Sequence, residues 1–523
     1  MGFDHDQEEK GVWGIAPRVL ILPSTSWTTP FSGEPILESL RRHSHERREH
    51  RALVWADEGV IDYGGLWPLI EGVARGLMAL GLNKGHRVAL AMEGSRPSIL
   101  YYLGLLRLGA VALPMDPGLT ATQWRGRLQD LTPGLVIAPL TVLHSLEPSA
   151  GSDFARLDLS LATMESLLQK TGPLPDVPEP GDVVQILSTT GTTGTSKHVL
   201  LTLGNISAAA QQINQVMGLT GADVEVITLP LYHSFGLGRL RCGLVAGSCV
   251  HLLPGRFRPE RLLKAVRAVE ASVFAQVPSG IRLLLALGSR VAPWLAGVRL
   301  VEIGSAAMEI AEKERLTDLL PQARLWHHYG LTEASRSLFL EYHQARALGC
   351  LGAMGQPTPG VEVMLRSDQG TLASRGEGEL MVRGPHVTPG YFNPTGSEAA
   401  TGTWFGTGDL VRRDEQNYFY HLGRADDCIN LGGFKVHPAE VESVLSACPG
   451  VGDVAVAASR DGGTPHLVAF IQPDPLCPFD ERMAREWVAA RLEPYKHPQY
   501  FTRVDILPRT SSGKLKRREL PIV

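Results

Sequence analysis

The stretch Ser188-Thr-Thr-Gly-Thr-Thr-Gly-Thr-Ser-Lys-His-Val199 has the composition of a loop that holds phosphates. Gly191 and Gly194 permit close backbone approach. Thr190, Thr192, Thr193 and Thr195 supply hydroxyl donors. The best-known loop of this kind has a glycine directly before its lysine and starts a helix there. Here Ser196 precedes Lys197, and Gly194 stands three residues before the lysine. The flanks decide the matter. Residues 182–187 read as a buried strand, and residues 198–201 are again apolar and strand-like. An amphipathic helix begins only near Asn205, with Ile206, Ala209, Ile213 and Val216 on one face and Gly218 behind them. The stretch is therefore a strand–loop–strand connection. Taken alone it is either a phosphate loop of another kind or a simple turn.

The rest of the chain sets bounds. Its 523 residues exceed one compact core, so two or more domains are expected. With 44% hydrophobic and 20% charged residues it has an ordinary globular composition. A formal charge of −4 provides no basic field, so nucleic acid is not expected as a partner. The six cysteines contain no C-x-x-C pair, which suits a reducing compartment and the cytoplasm. Acidic residues Asp4, Asp6, Glu8 and Glu9 argue against a signal peptide. The longest apolar stretch, residues 99–115, is interrupted by Arg107 and falls short of a membrane span.

From about residue 35 to 420, β-branched runs alternate with helical patterns, as in parallel sheets covered by helices. Residues 259–270 read as a helix, and residues 272–277 and 298–303 as strands, the last ending at Gly304-Ser305-Ala306. After Tyr420 the pattern becomes that of a small α+β domain. It has a proline-started helix over Pro438–Ser446, strands at 453–458 and 467–471, and a helix over 481–492. The expected fold is α/β: a large N-terminal domain of parallel or mixed sheets layered with helices, plus a small mobile α+β C-terminal domain. The boundaries are residues 1–422, with 1–34 an extension of unassigned role, a hinge at 423–426, and a lid at 427–523.

Four more segments join the opening loop: Tyr329-Gly-Leu-Thr-Glu333, Gly406-Thr-Gly-Asp409, Gly423-Arg-Ala-Asp-Asp427 and Pro508-Arg-Thr-Ser-Ser-Gly-Lys514. In order and approximate spacing the five resemble the motifs of the adenylate-forming (AMP-binding) superfamily, most of all its acyl-CoA synthetases. That superfamily also contains the adenylation domains of peptide synthetases and beetle luciferases. The resemblance runs from about Leu37 to Leu520 and includes residues 104–117 (GLLRLGAVALPMDP), Gly378-Glu-Leu and Gly390-Tyr391.

The resemblance implies ATP-dependent activation of a carboxylic acid to an acyl-adenylate with release of pyrophosphate, followed by transfer to a thiol, usually that of CoA. Two anions meet in the first step, so charge neutralisation is its central problem. The implied cofactors are ATP, Mg²⁺ and CoA. Glu333 fits a Mg²⁺ ligand, with Thr332, Thr190, Gly191, Thr192, Thr193, Gly194 and Lys197 around the phosphates. Tyr329 packs on adenine opposite Gly304, Ser305 and Ala306. Asp409 accepts from the ribose hydroxyls, Arg424 adds a ribose or phosphate contact, and Asp426 matches the hinge position. Lys514 enters for adenylation and holds the carboxylate and a phosphate oxygen. Gly432 and Gly433 leave room for a pantetheine arm, and Lys435 meets a CoA phosphate.

Departures from the pattern fall at Ser196, His198 and His327. The first two are expected to loosen or reshape the loop. His327 stands near the adenine amino group as acceptor, or else is a buried structural histidine. The acid pocket draws on Tyr232-His-Ser-Phe-Gly236, Ser305–Ala307 and Gly330-Leu331, with Gly330 keeping it deep. His233 orients the carboxylate or gates the pocket, and Arg336 is read as a surface residue before a contact to a polar group of the substrate. No aspartate near residues 232–236 awaits an α-ammonium, which disfavours amino acids. The leading reading is therefore a CoA ligase for a medium acyl or aryl acid. Transfer to the pantetheine arm of a carrier protein is the alternative, and a non-catalytic nucleotide-binding protein the remote one.

Overall fold

The opening stretch folds as an antiparallel hairpin, Val183–Thr190 against Ser196–Thr202, with Ser188 opposite His198 and Thr189 opposite Lys197. A helix, Leu203–Met217, follows at once. Thr202 caps it in a capping box with Asn205, and left-handed Gly218 ends it. The strand–loop–strand reading holds, because the lysine lies in a strand and caps no helix.

The computed structural model describes residues 31–146, 154–190, 196–393, 398–399, 404–427, 429–431, 434–459, 466–509 and 515–521. Gly191, Thr192, Thr193, Gly194, Gly432, Gly433, Lys514 and residues 1–30 of the expected extension lie outside the described residues, as do the side chains of Thr190 and Lys435. The chain divides into two compact units. One comprises residues 1–351, 357–362 and 382–405, and the other residues 352–356, 363–381 and 406–523.

In the first unit the hairpin belongs to an eight-stranded sheet. Its strand order is Glu398–Ala399, Gly390–Phe392, Ser196–Thr202, Val183–Thr190, Val111–Met115, Arg87–Ala91, Leu135–Ala138 and Ala155–Asp158. The last strands pair in parallel, and the helix Arg96–Leu108 packs on them, buried from Pro97 onward. The apolar run at 99–115 is thus a core helix, a left-handed turn at Gly109 and a core strand. No described helix is long and apolar enough to cross a membrane. A second sheet carries the parallel neighbours Val224–Ile227, Val273–Gln276, Leu300–Ile303 and Arg324–Tyr329, closed by antiparallel Leu338–Glu341. Every residue of Leu300–Ile303 and Val273–Gln276 is buried, as a doubly covered parallel sheet requires.

The second unit holds a five-stranded sheet, in which Phe405–Arg413 pairs with Phe419–Arg424, and a three-stranded sheet of Val451–Ala458, Leu467–Pro473 and Tyr500–Arg503. Helices Pro438–Ser446 and Glu481–Ala489 bury Val441, Leu445, Ala484 and Val488 in its core. The mixed α/β architecture, with a smaller C-terminal α+β part, is the one expected.

Candidate active site

The segments expected to hold phosphate are three, all of the first unit. Strand Gly390–Phe392 pairs with the hairpin, Tyr391 opposite Val199. Just before it, Thr388 is fully buried and donates its hydroxyl to Leu200 O at 2.6 Å, while its amide donates to Glu333 O at 2.8 Å. Asn205, from the start of the helix, donates to the carbonyls of Pro385 and Val387, both at 2.8 Å. The Thr332-Glu333 turn is thereby tied to the base of the glycine loop. Tyr391 completes the connection. Its hydroxyl donates to Glu333 Oε1 at 3.0 Å, and the Lys197 ammonium lies 5.3 Å from its ring centroid. In the sequence the only signal of this role is a polar aromatic in the Gly390-Tyr391 pair.

His198 does the opposite of loosening its strand. The ring is buried, its Nδ1 lies 2.9 Å from Ser188 Oγ across the hairpin, and its Nε2 lies 3.8 Å from Asp130. Glycine could make neither contact.

Among the residues expected around adenine, parallel pairing sets Ile303 beside His327, so the Gly304-Ser305-Ala306 turn and Tyr329 leave neighbouring strands at their carboxyl ends. That is where α/β sheets bind ligands. Ser305 has φ +75°, a left-handed conformation uncommon outside glycine. A Cβ on Gly304 would lie 2.0 Å from His328 Cε1, so only glycine fits there. His327 is committed to the protein. Its Nε2 lies 3.0 Å from Ala306 O and must carry the proton, while its Nδ1 accepts from Tyr342 at 2.8 Å. With both nitrogens taken, the ring braces the turn and offers adenine no lone pair. Here the structural alternative describes the residue.

In the second unit, Asp409 and Arg424 face each other across Phe405–Arg413 and Phe419–Arg424. Arg424 Nη1 donates to Asp409 Oδ1 at 3.0 Å and to Thr407 O at 2.9 Å. Gly408, at φ +73°, makes room, since a Cβ there would lie 2.7 Å from Arg424 Nη2. Asp426 is exposed, 3.8 Å from Arg424.

The acid-pocket segment opens a helix, Ser234–Ala246, with His233 at its N-cap. His233 is open to solvent at one side and ringed by protein at others. This desolvation draws its pKa below the ordinary value, with Asp116 pulling it up and Arg127 down. Beneath the helix lies a buried ion network that the sequence did not reveal. Both oxygens of Glu225 accept from Arg239 at 2.7 Å, which requires the ionised carboxylate although burial alone would raise its pKa. Arg239 also donates to Glu302 at 2.9 Å, and Arg336 donates to the other Glu302 oxygen at 3.0 Å. His328 Nδ1 lies 2.6 Å from that oxygen, off the line of a hydrogen bond. Arg336 is therefore a core residue, 3% exposed, and not a surface one. Its remaining nitrogens donate to the carbonyls of Ser234 and Phe235 and so fix the start of the pocket helix. Gly330 serves this packing, since a Cβ would lie 2.3 Å from the Arg336 amide nitrogen.

Two neutral histidines close to these elements make stability depend on pH. Burial pushes the His327 imidazole down to about 3 and the His386 imidazole down to about 4, from 6.5. Unfolded, each ring takes a proton near 6.5; folded, neither does until far lower. Stability is thus complete above about pH 6.5 and falls below it by roughly 1.4 kcal/mol per pH unit per histidine. The melting temperature should drop between pH 7 and pH 5, and His386→Asn should lessen the drop. An equal drop in the variant would show that His386 is not the group concerned.

The pattern of an AMP-binding enzyme matches residues 40–392, and that of the AMP-binding enzyme C-terminal domain matches residues 440–514. A 2-succinylbenzoate–CoA ligase of Listeria monocytogenes is 30% identical over 463 residues, covering 86% of this chain and 92% of its own. A probable CoA ligase of Humulus lupulus is 29% identical over 499 residues, covering 92% and 94%. The solved o-succinylbenzoate coenzyme A synthetase of Bacillus subtilis, in complex with ATP and magnesium ion, is 25% identical. It has a TM-score of 0.79 over 93% of this chain and 99% of its own. The chain belongs to the family of AMP-binding enzymes. Within that family it is an AMP-forming ligase of the acyl-CoA synthetase type.

Proposed function

We propose that the chain activates a medium acyl or aryl carboxylic acid and passes the acyl group to CoA, in the cytoplasm. A carboxylate oxygen attacks the α-phosphorus of ATP, the bond to the bridging oxygen breaks, and pyrophosphate leaves. The CoA thiol then adds to the acyl carbon, loses its proton, and AMP departs. The observation that carries this reading is Tyr391, which joins the lysine of the phosphate loop to the Glu333 carboxylate.

Among the described residues, no group of three or more His, Cys, Asp or Glu side chains could hold a metal. That suits Mg²⁺, which takes one carboxylate with phosphate and water oxygens. Half-buried Glu333, oriented by Tyr391, fits that role. Bound there, Mg²⁺ would neutralise phosphate charge during adenylation. Removing an orienting partner typically weakens a metal site by about 10- to 100-fold. Tyr391→Phe should therefore raise the Mg²⁺ concentration at half-maximal rate by roughly tenfold. An unchanged Mg²⁺ dependence would remove Tyr391 from this role.

The reading is tested by acid-dependent pyrophosphate release over a panel of acids, run with CoA and again with a pantetheinylated carrier protein. CoA thioester formation is expected. Acyl transfer only to the carrier would move the proposal to the alternative acceptor. No release with any acid would leave a nucleotide-binding protein without this chemistry.

A further inference from the structure

The pocket helix carries a second buried arginine that lacks what the first possesses. Arg239 has two carboxylates. Arg241, two residues on and 6% exposed, donates from Nη1 to Gln185 Oε1 at 3.3 Å beside the Tyr102 hydroxyl, which donates to the same oxygen at 2.8 Å, so its described partners are all uncharged. No described carboxylate lies in ion-pair range of it. Arg239 and Arg336 share Glu225 and Glu302, whereas Arg241 has no counter-charge among the described residues. Burying an unpaired ion is costly, and such a group calls for a counter-charge.

The place for one is adjacent. Arg241 lines a small cavity with Ser234, Gly238, Thr332, Ser335 and His386, next to apolar side chains of the helix Leu203–Met217. Ser234 and Gly238 belong to the helix that the acid-pocket segment opens, and Thr332 to the Thr332-Glu333 turn. His386 is 1% exposed, and its Nδ1 has no partner among the described residues. The cavity, about 20 Å³ to a water-sized sphere, has room for one or two waters, the scale of a small anionic group, and excludes a long alkyl tail. Arg241 lies seven residues beyond Ser234, about 10 Å further along the helix axis.

We propose that Arg241 receives a second carboxylate of the acid substrate, so that the enzyme prefers a short-chain or ring-borne dicarboxylic acid to the matching monocarboxylic acid. This rests on the acid-ligase reading and narrows its substrate class. One carboxylate is activated beside ATP, while the other supplies the charge missing from the buried network.

The test compares matched pairs, such as hexanoate with adipate and 3-phenylpropanoate with 3-(2-carboxyphenyl)propanoate, by kcat/KM for pyrophosphate release. A charge-assisted contact of this kind should favour at least one diacid by about 10- to 100-fold. In Arg241→Gln the ratio should fall toward one, and Arg241→Lys should restore part of it. Melting curves without ATP give a second readout: the diacid should raise the melting temperature of the wild type and not of Arg241→Gln. Monocarboxylates turned over as well as every diacid, or a ratio unchanged in Arg241→Gln, would overturn the proposal while leaving the ligase reading intact. Stabilisation by chloride or acetate with no diacid preference would assign the cavity to a free anion, which also overturns it. Diacid stabilisation dependent on Arg241, without turnover of any acid, would support the subsite and sink the ligase reading.

Discussion

Lys514→Ala should lower acid-dependent ATP–pyrophosphate exchange by roughly 10²- to 10³-fold, the usual cost of losing one preorganised donor at an anionic transition state. The substrate carboxylate and the triphosphate repel each other as they meet. Lys197 is the lysine nearest the phosphate loop, but it lies over the Tyr391 ring. On the reading proposed above, the remaining charge comes from Lys514, and an ammonium on a flexible stem suits a group that is to give way to a thiol better than a planar guanidinium does. The second step needs no such charge, since AMP is already the leaving group. Thioester formation from supplied acyl-adenylate should therefore survive in the variant. Loss of both steps in equal measure would show that Lys514 supports the fold or the nucleotide generally and does not act in adenylation.

What could be read from the residues divides by range along the chain. The hairpin was legible because its evidence is local: apolar residues on both sides of the glycines and no helical period until Asn205. Pro438–Ser446 was legible for the same reason, with proline at the first turn and apolar residues in helical spacing. The motifs lead to Glu333, Asp409 and Arg424 because their glycines and charges are contiguous. The supports of those residues are not contiguous. Thr388 reaches Leu200 and Glu333 across 188 and 55 positions, so nothing near it reveals its bonds. Arg336 stands among serines, Ala-Ser-Arg-Ser, and reads as solvated; Glu302, 34 residues earlier, draws it inside. His327 offered two readings that its neighbours could not separate. The choice came from Tyr342 and Ala306, which occupy its two nitrogens.

The same network gives the largest expected effect on stability. Glu302→Ala should destabilise the protein by about 3–5 kcal/mol, the usual cost of removing one partner from a buried ion pair. Burial alone would push the Glu302 carboxyl up, but Arg336, Arg239 and His328 outweigh it and hold it far below the usual carboxylate range. Without it, Arg239 keeps Glu225 while Arg336 keeps only carbonyl and hydroxyl partners. The guanidinium would then be buried at 3% exposure with no counter-ion. Domains are commonly stable by only about 5–15 kcal/mol, so a loss of this size is severe. Removing both charges together separates pairing from packing. Glu302→Met with Arg336→Met should cost clearly less than the two single changes added, since neither charge is then stranded. Denaturant melts of the four proteins measure this. Additive losses would mean that the two side chains contribute as packing alone. A strong coupling would identify Glu302 as the anion that holds Arg336 against Ser234 and Phe235, and so fixes the first turn of the pocket helix.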